Sequence, residues 1–177
     1  MPIENILLPV QASRDVTRAV RYLADEYGAA GVRVHLLNVQ PAIAASEVRL
    51  AFASSSIQDA RAAAAEETLR PVSELLATLG IEHTMHVALG DVAEAIVRCA
   101  SNQACDGIVL TEGRSALRRS MLGSVAAKVI NLTDLPVTLI KESSEAETAA
   151  LLRPATAEGR AANRRRRLEA GNAIEAP

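Results

Sequence analysis

Residues 3–10 read IENILLPV and residues 32–39 read VRVHLLNV, and these two aliphatic runs decide the fold. Both have the length of a strand and are apolar at most positions, which is typical of strands buried on two faces of a parallel sheet. Between them, apolar residues recur at helical spacing until Gly28, and Ser13 is a candidate N-cap. The apolar helical positions are Val16, Val20, Leu23 and Tyr27. The pattern therefore predicts a strand, a helix and a second strand.

The same alternation continues outward along the chain. Further strands are predicted at residues 83–87, 107–110 and 136–140, with helices over residues 57–79, around Ile96 and around Val129. Gly80 and Asp91 are the predicted caps on either side of the third strand, and Asp91 with Glu94 fits a capping box. Pro71 lies inside the longest helical segment, which predicts two helices that meet there. Residues 41–56 have no clean period and are predicted to be a mobile loop or a broken helix.

The order of elements predicts an α/β protein with an open, doubly wound, five-stranded parallel sheet and helices on both faces. Apolar residues make up 49% of the 177 residues and aromatic residues only 2%, so the core must be aliphatic. We expect one domain over residues 1–142. Residues 143–177 are rich in alanine and charge, and we expect a disordered or marginally helical tail whose run of four arginines is solvated.

Composition also excludes several classes of function. The formal net charge of −2 gives no general attraction to nucleic acid or to an anionic membrane, and no segment has the roughly 20 apolar residues that span a bilayer. Cys99 and Cys105 form no CxxC motif, and the three histidines have no ligands at metal spacing, so we assign no metal. The N-terminus lacks the basic region of a secretion signal, and we expect a cytoplasmic protein.

The segment that carries chemistry is GRSALRRSMLGSV, residues 113–125, a loop that precedes the last helix. Free N–H groups at the start of that helix would suit an anion such as phosphate, and Ser124 and Arg114 can add a hydroxyl and a charge. On these residues alone, an ordinary helix cap is the favoured interpretation of Gly123-Ser124. No P-loop and no GxGxxG motif is present.

The spacing of this loop resembles the signature of universal stress proteins, which runs Gly, two residues, Gly, nine residues, Gly and then Ser or Thr. Gly113, the next nine residues and Gly123-Ser124 match its second half. The segments ILLPV, LLNVQP, GDVAEAIVRCA and SVAAKVINLTDLPVTLIK are similar to other parts of the family, so the resemblance covers residues 3–142. It implies an adenine nucleotide alpha hydrolase-like sheet and, in nucleotide-binding members, ATP or AMP with Mg as the ligand.

The resemblance also implies which residues would surround a nucleotide. They are Pro9, Val10 and Gln11 beside the base, Val39 against adenine, and Gly113, Arg114, Gly123, Ser124 and Val125 at the ribose and phosphates. Two departures stand out. Gln11 replaces the Asp of ATP-type members, and the first loop glycine is missing, so that the segment from Leu110 to Gly113 is expected to be one residue short. The carboxylate of Glu112 would also repel a phosphate bound near this loop.

The resemblance implies a dimeric stress-response module for binding or signalling, with an unknown protein partner. In the family the last strand pairs across a two-fold axis, so we expect a homodimer through the strand that begins at Pro136 and ends at Ile140. No catalytic residue is assigned. Two alternatives stay open: a ligand-free dimer with a degenerate nucleotide loop, and a slow ATPase on the same fold.

Overall fold

The computed structural model describes residues 3–12, 14–28, 31–40, 55–113 and 123–142, with side chains from residue 60 onward in the segment that begins at residue 55. Within these residues there are five strands and four helices. The strands are β1 (Asn5–Pro9), β2 (Arg33–Gln40), β3 (Glu82–Leu89), β4 (Gly107–Glu112) and β5 (Val137–Lys141). The helices are α1 (Thr17–Tyr27), α2 (Ser55–Thr78), α3 (Val92–Asn102) and α4 (Ser124–Leu132).

The five strands form one parallel sheet in the order β3-β2-β1-β4-β5. The chain builds outward from β1 through β2 to β3, and then returns to the other side of β1 for β4 and β5. The strand order therefore reverses between β1 and β4, and ligands of such sheets bind outside the carboxyl ends at this point. The predicted α/β class and doubly wound parallel sheet are confirmed.

Two aliphatic cores lie on the two faces of the sheet. Because side chains alternate along a strand, Ile6 and Leu8 of β1 face one core and Leu7 faces the other. The first core is shared with α1 and α2, and the second with α3 and α4. The prediction of helices on both faces is confirmed.

Helix α2 differs from the sequence prediction at Pro71. The structure has one continuous helix from Ser55 to Thr78 with Pro71 inside it, so the prediction of two helices is wrong. Pro71 is exposed, while Leu69, Val72 and Leu76 are buried in the first core. Packing of the opposite face of α2 outweighs the local cost of proline.

The ends of several elements also bear on the prediction. Asp91 caps α3 by accepting from the Glu94 N–H at 3.0 Å, as predicted. The carboxylates of Glu94 and Asp91 both pair with Lys128 of α4, at 3.0 and 3.1 Å, which ties the two helices together. Gly80 has a φ of +70° after α2, as its predicted role as a stop requires.

Three predictions fall outside the described residues. Ser13, the predicted N-cap of the first helix, is not among the described residues. Helix α1 begins at Thr17, whose N–H donates to Asp15 Oδ1 at 2.8 Å. Residues 41–54 lie there, whereas residues 55 and 56 belong to α2. The tail from residue 143 lies there as well, so the domain boundary stays a prediction. No helix of the described segments is long and apolar enough to cross a bilayer.

Candidate functional site

A cavity of about 170 Å³ lies at the carboxyl ends of β1 and β4, where the strand order reverses. The start of α4 and the first turns of α3 form its walls, and the residues that follow β1 form its rim. The lining residues are Pro9, Val10, Gln11, Arg14, Leu37, Val39, Val92, Ile96, Leu110, Thr111, Glu112, Gly123, Ser124, Val125 and Ala126. The lining therefore combines apolar side chains from the strands and from α3 with a polar set formed by Gln11, Arg14, Thr111, Glu112 and Ser124.

Most of the residues that the sequence predicted for a nucleotide site meet at this cavity. Seven of the nine line it: Pro9, Val10, Gln11, Val39, Gly123, Ser124 and Val125. Gly113 follows β4 directly and is buried. Arg114 lies outside the described residues. The structure thus brings the predicted residues together, and their role in binding stays a prediction.

The rim at Gln11 is held by hydrogen bonds from β2. Val10 donates its N–H to the Leu37 carbonyl at 2.8 Å, and the Val10 carbonyl accepts from Asn38 Nδ2 at 2.9 Å. Asn38 Oδ1 in turn accepts from Gln40 Nε2 at 2.6 Å. Asn38 is only 4% exposed, so this buried amide fixes the position of the segment that carries Gln11.

The start of α4 offers free backbone donors to the cavity. Gly123 is the N-cap, and no side-chain hydrogen bond caps the helix within the described residues. The first N–H groups of a helix have no partner inside it, and the helix dipole makes this end positive. Ser124 and Val125 lie in this turn and line the cavity, so the arrangement can hold a negative group.

Glu112 is the acidic residue of the described lining, and it stands against this helix start. It is only 6% exposed. Its two carboxylate oxygens lie 2.8 and 2.9 Å from the position that a Cβ would take on Gly123. The absence of a side chain at Gly123 therefore makes room for the Glu112 carboxylate. Sequence analysis identified Glu112 as a repulsive neighbour, but its burial follows from β4 extending to this residue.

Arg14 brings a positive charge to the same region, and sequence analysis missed it. Its Nη1 donates to Glu142 Oε1 at 3.3 Å, so the segment between β1 and α1 is paired with the residue after β5. The guanidinium also covers Gly113, where a Cβ would collide with it. Only its position shortly after a strand could have indicated Arg14, because that is where side chains reach the carboxyl edge of the sheet.

The predicted shortening of the loop before Gly113 is wrong. Two residues, Thr111 and Glu112, separate Leu110 from Gly113, so Leu110 stands at the place of the first signature glycine. Leu110 is part of β4 and 4% exposed. The departure from the signature is therefore a substitution of glycine by a core residue.

Titratable side chains elsewhere are engaged in packing. His35 Nδ1 lies 3.0 Å from His86 Nε2, and Thr84 Oγ1 lies within 3.0 Å of both nitrogens. Burial lowers the pKa of both histidines, and burial raises the pKa of Cys105 to about 12. Within the described segments, no group of three or more His, Cys, Asp or Glu side chains could hold a metal ion.

Comparison with known proteins decides the family. The model of the universal stress protein family matches residues 2–141. The chain belongs to the universal stress protein family. Universal stress protein MJ0531 of Methanocaldococcus jannaschii is 26% identical over 144 residues, which cover 78% of this chain and 82% of that relative. The resemblance inferred from the glycine loop is thereby confirmed.

Solved structures show that this universal stress protein has the adenine nucleotide alpha hydrolase-like fold of its family. The structure of hypothetical protein MJ0577 matches with a TM-score of 0.66 and 21% identity, covering 82% of this chain and 100% of that chain. A universal stress protein from Archaeoglobus fulgidus in complex with dAMP matches with a TM-score of 0.56 and 24% identity, covering 80% of this chain and 100% of that chain.

Proposed function

We propose that this universal stress protein is a dimeric binding module of the stress response that takes an adenine nucleotide of the AMP or ATP class, with Mg accompanying ATP. The observation that carries the proposal is the cavity at the strand reversal, which joins an apolar wall to the free N-terminus of α4. An adenine ring packs against an apolar wall, and a phosphate binds at the N-terminus of a helix. The dAMP complex of the Archaeoglobus fulgidus relative supports this ligand class.

Each part of the cavity has a role in this proposal. Val39 and Val10 supply apolar contact for the base, and the amide of Gln11 supplies a donor and an acceptor for adenine or ribose. The ribose and phosphate lie toward Ser124 and Val125. A bound nucleotide would act by favouring one of two states of the protein, because a ligand with equal affinity for both shifts nothing. Action in the cytoplasm is part of the proposal.

Calorimetric titration tests the proposal directly. ATP and AMP, each with Mg, are titrated into protein that has been freshly stripped of nucleotide, and into a Gly123→Ala variant. The added Cβ would meet the Glu112 carboxylate at 2.8 Å and displace it into the cavity, so we expect binding to weaken at least about tenfold. Gly107→Ala is the matched control, because its Cβ meets only the Pro136 carbonyl, at an ordinary 3.5 Å.

One result would contradict nucleotide binding, a second would contradict its placement at the start of α4, and a third would favour an enzyme. Absence of heat and of thermal stabilisation at millimolar nucleotide would favour the ligand-free dimer, in which Gly123 serves only as the cap of α4. Equal weakening in Gly107→Ala and Gly123→Ala would mean that the loss comes from the fold. Release of phosphate from Mg-ATP above the buffer rate would instead favour the slow ATPase.

The proposed dimer uses the open edge of β5. Proteins of this family are commonly dimeric. The β4 pairing uses the carbonyl of Pro136 and the N–H of Glu142, so by the alternation of a strand the backbone groups of Val137 and Leu139 face away from β4. Thr138 lies between these two residues, so an arginine there should crowd a strand that pairs with them. We expect Thr138→Arg to shift the mass measured by light scattering from dimer to monomer. Asn102→Arg, at an exposed position, should leave the mass unchanged. A dimer that survives Thr138→Arg would contradict this interface.

A further inference from the structure

The Glu112 carboxylate is a charge without a described partner. Glu112 is 6% exposed, and no hydrogen bond or ion pair joins its carboxylate to another residue in the described part of the chain. Burying a carboxylate without a partner is costly unless a complementary field offsets the cost. The N-terminus of α4 provides that field.

The carboxylate also occupies a particular place. Its oxygens lie against Gly123, the N-cap of α4, and no side chain of the described residues caps this helix. The N-terminus of a helix is where a phosphate would be held. Glu112 therefore places a negative group of this chain beside the helix start at which a ligand phosphate would be held.

The cationic side chain of the described lining, Arg14, does not cancel this charge. Arg14 lines the same cavity, but its guanidinium is paired with Glu142 at 3.3 Å. The three side chains together carry one positive and two negative charges. A phosphate entering beside them would meet like charges in a partly buried cavity, where repulsion is screened less than in water.

We propose that Glu112 is a specificity-determining residue that selects against ligand phosphates, so that the cavity binds adenosine more tightly than AMP and AMP more tightly than ATP. This rests on the proposed function: it ranks AMP above ATP at that site and adds the nucleoside, which has no phosphate, as the tightest ligand. An adenosine-type ligand with an uncharged 5′ group keeps the contacts of the base and avoids the carboxylate. The same chemistry admits an adenosine ligand whose 5′ substituent carries a positive charge.

The test compares adenosine, AMP and ATP by calorimetric titration, in EDTA and in Mg, on the full chain and on Glu112→Gln. Gln keeps the shape of the side chain and removes its charge. We expect affinity in the parent chain to fall from adenosine to ATP. In Glu112→Gln, affinity for AMP and ATP should rise at least about tenfold, with adenosine changed less than about twofold. Glu82→Gln, an exposed residue at the opposite end of the sheet, is the matched control and should change none of the three.

The sign of the effect separates the outcomes. If ATP binds most tightly in Mg and Glu112→Gln weakens it, the carboxylate holds a cation that bridges to the phosphates, and the proposal is overturned. If the three ligands bind and Glu112→Gln leaves their order unchanged, Glu112 is not a specificity residue, while the proposed function stands. If neither protein binds any of them, the proposed function itself fails and this inference fails with it. Thermal unfolding of both variants, followed by circular dichroism, is the control that checks that each is folded.

Discussion

Among the described residues, three buried polar side chains lie in β2 and β4, whose other buried residues are mostly aliphatic: His35, Asn38 and Glu112. The sequence predicts these strands because the surrounding residues are apolar, yet it does not say how a polar side chain inside one is accommodated. Asn38 bonds to the Val10 carbonyl and His35 lies beside His86, whereas Glu112 faces the start of α4. Partners that come from another strand or helix depend on the tertiary structure, so the local sequence pattern does not predict them.

Asn38→Ala should destabilise the protein by about 1–3 kcal/mol, because the buried Val10 carbonyl then loses its Asn38 donor. Urea unfolding followed by circular dichroism measures the change. Gln40→Ala is the control, since Gln40 is only half-buried and its removal leaves the bond from Asn38 to Val10 in place. Equal losses in the two variants would show that the Val10 bond contributes nothing of its own.

At the scale of elements, sequence periodicity predicted each strand and helix of the described core, and its errors come from tertiary contacts. β3 extends beyond the predicted residues 83–87 because it pairs with β2 along its whole length, from Glu82 to Leu89. A pattern of apolar residues does not show such pairing, because the partners are backbone groups of β2. Pro71 misled the prediction in the opposite way, because burial of Leu69 and Leu76 holds α2 together across it.

Pro71→Ala should stabilise the protein by about 1–3 kcal/mol. Proline removes a backbone donor and crowds the preceding turn, and Pro71 is exposed, so alanine restores the helix without changing the core. The change is measured as a shift of the urea midpoint. Glu74→Ala, an exposed substitution in the next turn of α2, should change stability by no more than about 0.5 kcal/mol. A Pro71→Ala variant no more stable than Glu74→Ala would show that α2 is adapted to the proline.

The pairing of β2 with β3 predicts a dependence on pH. Burial lowers the pKa of His35 and His86 in the folded protein, and the neighbouring His86 and Arg33 lower that of His35 further. The unfolded chain, with histidine pKa values near about 6.5, binds more protons than the folded one as pH falls. Stability is therefore full above about pH 6.5 and decreases below it.

Urea unfolding at about pH 7.5 and about pH 5.5 tests this dependence. The free energy of unfolding should fall between the two values in the parent chain and fall less in His86→Gln. An identical fall in both proteins would place the pH dependence at other groups.

At the scale of the whole molecule, the alternation of elements predicted the class of fold and the two covered faces, because parallel strands require crossover helices. Seven of the nine residues proposed for the site line one cavity for the same reason, since loops at the carboxyl ends of the strands converge at the strand reversal. The charge balance of that cavity was not predictable, because Arg14, Glu112 and Glu142 come from three separate parts of the sequence and meet only in the fold.

A chain that ends at residue 143 should keep the stability of the full chain within about 0.5 kcal/mol. The compact unit that contains every described element spans Met1–Ser143, and the composition of the tail offers little apolar surface to bury. Thermal unfolding followed by circular dichroism measures the difference. A chain that ends at residue 135 lacks β5 and should not unfold cooperatively. Loss of cooperative unfolding in the chain that ends at residue 143 would mean that the tail is part of the core.

The central position of β1 has a consequence for how the chain is made. Of the five strands of the sheet, β1 leaves the ribosome first, but its neighbour β4 lies about a hundred residues later, as the bond from the Glu4 N–H to Asp106 shows with its separation of 102 residues. At about 5–20 residues per second, β1 waits about 5–20 s for that neighbour. During translation one side of this aliphatic strand stays open, which makes the nascent chain a client for chaperones until β4 emerges.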